Sequence, residues 1–268
     1  MKTITSVAIA ALMLAACGQE AAKTDAATAS ANSASGAVIL QAQPDLAGGV
    51  EAAPRLVGDS AAITAINADL ARIDGAVLAN SCEGGGGIER GVSQPMTGPG
   101  YVSFWIAEGY YCEGNAHPSN DQTALTYDLA TGQRVDWAAA APGLRLVRGD
   151  TTDMPATYEP PFSSSVLTTW YSRKMLASTD TERLADCGDV WTEESMAETS
   201  FKLWLDAQES GVTVMPEFAH VVQGCADSVT MTVEEMQANG VSPAIIQAVT
   251  AAHGAGNWAP KDEAEPAA

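Results

Sequence analysis

Tyr101-Val102-Ser103-Phe104-Trp105-Ile106-Ala107 places Val102, Phe104 and Ile106 on one side of an extended chain, with smaller or more polar residues between them. That period of two marks a half-buried strand, because successive side chains leave the pleat on opposite faces. Residues 122–129 continue the pattern, and residues 199–206 repeat it with Phe201, Leu203 and Leu205 aligned. Glu209-Ser210-Gly211 reads as a turn into a further strand over 212–215, and residues 228–233 supply one more, so the expected sheet is antiparallel. Trp105 and Trp204 fall out of phase with the apolar faces of their strands, which leaves two alternatives open: exposure for contact at a surface, or the partly buried place usual for tryptophan.

The sheet needs a cover. Asp59-Ser60 offers an N-cap, and Ile63, Ile66, Leu70, Ile73 and Val77 recur at helical spacing, which predicts an amphipathic helix over 60–79. Val166, Leu167, Trp170 and Leu176 give a helix-like pattern over 163–178, and two short helices follow at 233–238 and 242–252, the second opened by Ser242-Pro243. Helices on one face of an antiparallel sheet make an α+β domain. Residues 50–258 are long enough for a single domain with its own core.

Ahead of this domain, Leu14-Ala15-Ala16-Cys17 ends a short apolar run that begins at Ile4 behind Lys2. Such a run is too short to span a bilayer core of about 30 Å, and the order of its parts is that of an export signal. Small residues before a cysteine suit cleavage at that thiol, so residues 1–16 are read as a lipoprotein signal peptide and Cys17 as the lipidation site. Several acyl chains on one residue anchor a protein to a lipid bilayer where one chain does not. Residues 17–49, rich in Ala, Ser, Thr and Gln, read as a flexible tether, because they have little apolar surface to offset the entropy of ordering. Gly18 is not the aspartate that retains many lipoproteins at the inner membrane, which favours the outer membrane, facing the periplasm. Residues 259–268 read as a disordered tail.

The whole chain carries 13 basic and 33 acidic residues, a net charge of −20; loss of Lys2 with the signal leaves 12 − 33 = −21. Such a field repels nucleic acid and draws in a basic protein or peptide. Four cysteines remain besides Cys17: Cys82, Cys112, Cys187 and Cys225. An even number in an exported chain favours two disulfides, and local closure favours Cys82–Cys112 with Cys187–Cys225 among the three pairings. Their wide spacing does not suit a structural zinc site.

The chain lacks a Gly-x-Ser-x-Gly elbow, a His-Glu-x-x-His helix and a Gly-Lys-Ser/Thr phosphate loop. Gly84 to Gly87 have no lysine to cradle phosphate and are read as a flexible loop beside Cys82. His117 lies in Glu113-Gly114-Asn115-Ala116-His117-Pro118, and His220 follows Met215-Pro216-Glu217-Phe218. Their separation leaves open whether they share a metal with Asp121 or Glu217; the reading adopted is of structural histidines, with no metal and no cofactor.

Tyr101 to Phe104, Cys112 to Pro118 and Tyr127-Asp128-Leu129-Ala130-Thr131-Gly132 together resemble the extracytoplasmic RsiV-like domain. Phe201-Lys202-Leu203, Gly211 to Val214 and Pro216 to Val221 are similar to its second half. That family includes anti-sigma factors that sense lysozyme, and it occurs in front of a peptidoglycan deacetylase domain, where it is non-catalytic. Asn115 interrupts the family's Gly-Ala-His step, and the anti-sigma and deacetylase segments are missing, so only binding is implied. The resemblance points to Asn115, His117 and His220 as the binding loop, and to a basic protein such as lysozyme or a peptidoglycan fragment as partner. The contrasting expectation is a cell-wall hydrolase that uses His117 with an acidic partner.

Overall fold

The computed structural model describes residues 36–79, 86–114, 117–154 and 157–259. The signal segment, Cys17, Cys82, Asn115 and residues 260–268 lie outside the described residues.

The chain forms an α+β domain with antiparallel sheets. Strand β1 (Leu40–Gln41) pairs with β2 (Arg55–Leu56), and helix α1 (Ala61–Ala79) follows, its first turn tied by the Ser60 hydroxyl accepting from the Ile63 N–H at 3.2 Å. Strands β3 (Gly86–Thr97), β4 (Tyr101–Cys112) and β5 (Ser119–Asp128) form a three-stranded meander in that order. Ile63, Ile66, Leu70 and Ile73 of α1 pack on Val102, Phe104, Ile106, Leu125 and Tyr127. This is the period-3.6 stripe meeting the period-2 stripe, as the sequence predicts.

A second sheet runs β10-β9-β8-β7-β6, built from β6 (Val147–Arg148), β7 (Phe162–Ser163), β8 (Ser200–Asp206), β9 (Gly211–Glu217) and β10 (Val229–Met231). Between them lie α2 (Trp137–Ala140), α3 (Ser165–Leu176) and α4 (Thr181–Cys187), and α5 (Val233–Ala238) and α6 (Pro243–Ala255) close the domain. Phe201, Leu203 and Leu205 join Leu167, Tyr171, Ile245 and Val249 in the larger core. Each sheet thus has helices on one face. The second face of β4 and β5 meets β8: Ser103 and Thr126 share a hydroxyl hydrogen bond of 3.0 Å, and Thr126 accepts from the Leu205 N–H at 3.4 Å.

Trp105 and Trp204 take the buried alternative. Their rings lie 4.5 Å apart between the sheets and Trp204 is buried, because the face that looks polar in each strand alone is covered by the other sheet. A correction concerns Gly84 to Gly87: Gly86 and Gly87 open β3, opposite Cys112 and Tyr111, instead of lying in a flexible loop. The first residues of the described chain also hold structure before position 50. Val38 donates to the Thr97 carbonyl at 2.6 Å, and Val38 and Leu40 pack against the smaller core, which offsets the cost of ordering this stretch.

Cys187 and Cys225 form a disulfide with Cα atoms 5.6 Å apart. Cys112 is also disulfide-bonded, and Cys82, its expected partner, lies outside the described residues. Among the described residues no helix is long and apolar enough to cross a membrane.

Candidate functional site

The alternation that sends Phe201 and Leu203 of β8 into the larger core sends Lys202 the other way. There it meets the start of β5 and the end of β9, and two open grooves share Asp121, Gln122, Lys202 and Glu217. The first, about 740 Å³, continues past Glu108, Tyr110, Tyr158 and Glu159; the second, about 520 Å³, continues past Phe218, His220 and Gln223.

The floor of the first groove is held by ion pairs. Glu108 accepts from Arg90 Nε at 2.9 Å and from the Tyr110 hydroxyl at 2.5 Å, and the buried Arg90 reaches Asp74 of α1 at 2.9 Å. Glu159 accepts from Arg134 and, at 2.9 Å, from Arg148. Arg134 also donates to Asp69 at 2.8 Å, so α1, the turn after β5 and the segment before β7 are joined through one chain of charges.

Asp121 and Glu217 are held more loosely. Their carboxylates lie 3.6 and 3.5 Å from Lys202 Nζ, beyond the roughly 2.7–2.9 Å of a charge-assisted hydrogen bond. Their side chains are 59% and 40% exposed, that of Lys202 only 10%. The Lys202 ammonium is thus ion-paired to both carboxylates. Burial pushes the Tyr158 phenol up, and the charges of Glu217, Asp121 and Glu159 push it further. Tyr110 stands well above the ordinary range through burial, its hydrogen bond to Glu108 and the nearby carboxylates. Both phenols therefore stay protonated donors at neutral pH.

The structure brings the two predicted histidines together, with ring centroids 6.2 Å apart and planes tilted by 39°. Both are exposed, and His220 and Gln223 wall the far end of the second groove. His117 makes no hydrogen bond or ion pair to a carboxylate among the described residues. Asp121 and Glu217, weighed from the sequence as metal partners of these histidines, face the Lys202 ammonium, which stands where a cation would sit. Among the described residues no group of three or more His, Cys, Asp or Glu side chains is arranged to hold a metal.

Lys202, Tyr110, Tyr158 and Gln223 escape the sequence reading. A signal existed for Lys202, the one charged residue within Phe201-Lys202-Leu203-Trp204-Leu205, at a position whose second face proves buried. No comparable signal marks the two tyrosines or Gln223.

No protein-family profile matches the chain, and neither does any curated protein. Among solved structures, the chain is similar to a DUF3298 family protein from Pseudomonas aeruginosa PAO1, at 13% identity and a TM-score of 0.36. That likeness covers 64% of this chain and 69% of the other. At this TM-score it carries no argument about function.

Proposed function

We propose that the protein is a lipid-anchored component of the cell envelope, held at the outer membrane through an acylated Cys17 and facing the periplasm, and that its domain is a binding module for a basic protein of lysozyme type. The export and lipidation signal around Cys17 supports the location, and the resemblance to RsiV-like domains supports the class of partner. The observation that carries the binding reading is the rim formed by Asp121 and Glu217, two exposed carboxylates at the mouth of a groove, in a chain of net charge −20. Such a rim steers a basic partner and fixes its register more than it adds affinity. His220 lies at the end of this groove as a contact residue, with the His117 ring 6.2 Å from it; neither has a catalytic role in this reading.

The test uses the full-length protein in detergent with lysozyme as probe. Association should slow as salt shortens the Debye length from about 8 Å at physiological ionic strength to about 3 Å at 1 M. Glu217→Lys should slow it further, and His117→Ala should leave it unchanged. Binding that ignores both salt and Glu217→Lys would sink the proposal. Hydrolysis of purified cell wall that is lost in His117→Ala would replace it with the hydrolase.

A further inference from the structure

We propose that His117 and His220 form a two-imidazole site for a divalent transition-metal ion of the zinc, nickel or copper class, bridging the loop after β4 to the 3-10 segment His220–Cys225. The two rings lie 6.2 Å apart between centroids and are tilted by 39°. Imidazole nitrogens bind zinc at about 2.0–2.1 Å, which sets the ion about 3.2 Å from each ring centre. Two rings on one ion then stand about 5 Å apart at a tetrahedral angle, and at most about 6.4 Å apart. The observed separation falls inside that limit, and an approach of about 1 Å reaches the tetrahedral arrangement. Both side chains are exposed, so each ring is free to turn a nitrogen toward the ion.

Donor chemistry narrows the choice of ion. Imidazole suits zinc, nickel and copper, whereas magnesium and calcium take oxygen ligands. Asp121 and Glu217 are engaged by Lys202, and among the described residues no third His, Cys, Asp or Glu joins the two rings. Two protein ligands make an exchangeable site, unlike the closed four-ligand set of a structural zinc. The exposed carboxylates of the groove that His220 lines, in a chain of net charge −20, still raise the local concentration of cations without ligating them. Gln223 already donates to Gln122 of β5 at 3.4 Å, and Cys225 fixes the end of the same segment to Cys187. An ion on the two rings adds a second link between the β4–β5 hairpin and this segment. The site departs from the structural role that the sequence suggests for these histidines, because ligands so far apart in the chain leave no spacing to read. It goes beyond recognition of a basic protein and does not rest on it.

The experiment is a calorimetric titration of the untagged full-length protein in detergent, stripped of metal, with zinc and with magnesium as the oxygen-seeking control. Zinc should bind as a single equivalent and about tenfold or more tightly than magnesium. His117→Ala and His220→Ala should each weaken zinc binding by about tenfold or more, and both alter exposed side chains, so the fold is kept. In proton NMR, zinc should shift or broaden the ring signals of His117 and His220. It should leave those of His253, whose ring bonds the Ala207 carbonyl and stacks on Trp258, unchanged. Absence of zinc binding would overturn the proposal, as would magnesium binding as tightly or zinc binding that survives either substitution. Lysozyme association is measured on the metal-free protein, so the two readings fail separately.

Discussion

Replacing both Cys187 and Cys225 with alanine removes a cross-link that spans 38 positions of sequence. In the chain-entropy model, closing a loop of this size restricts the unfolded ensemble by about 4 kcal/mol. The native surroundings of the bond survive its loss. Trp191 is fully buried and donates its indole N–H to the Cys225 carbonyl at 2.8 Å, and Arg183 reaches Asp227 at 2.6 Å and the Gly224 carbonyl at 3.0 Å. These contacts keep the 3-10 segment His220–Cys225 against α4, so the effect falls mainly on the unfolded chain. Guanidinium unfolding of the double variant beside the wild type, both without reductant, should show a stability loss of about 3 to 4 kcal/mol. The slope should rise, because an uncrosslinked chain exposes more surface. A loss below about 1 kcal/mol would refute the reasoning and place the stabilisation in native contacts that alanine preserves.

Two further outcomes follow from the ion chain and one tight turn. Burial acts to raise the Asp69 carboxyl, but Arg134, the Tyr127 hydroxyl and Arg72 outweigh it and hold the group below its ordinary 3.8. A carboxyl depressed in the folded state contributes stability above its unfolded pKa and loses it as pH falls through the folded one. Wild type should therefore lose more stability than Asp69→Asn on acidification through the carboxylate range; parallel melting-temperature curves would contradict this. Gly132 sits at φ 73°, where an added Cβ would lie 2.6 Å from the Ala62 carbonyl oxygen in the first turn of α1. Gly132→Ala should cost more than about 1 kcal/mol, and an unchanged melting temperature would show that the turn moves freely away from α1.

Much of the fold was legible because its elements carry clean periods. The stripe from Ile63 to Val77 and the alternations in β4, β5 and β8 set large apolar residues on one core-facing side, and residue order alone reports that. Strand β3 was hidden: its glycines, its polar residues and Pro95 break the pattern, and its register shifts between Ser93 and Met96. The short strands β6 and β7 hold too few residues for any period to show. At the site, the histidines were visible as rare residues in marked loops, and the structure places them side by side. The groove was not legible, since it is made by β5, β8 and β9 meeting across the domain, and Lys202 gains its meaning only once its second face is covered.

The most direct measurement of the binding reading is amide hydrogen exchange of the full-length protein, alone and with saturating lysozyme. Protection should concentrate where Asp121, Gln122, Glu217, His220 and Gln223 line the groove, with α3 and α6 on the far side of the second sheet unchanged. A complex that forms while these groove segments exchange as in the free protein would contradict it.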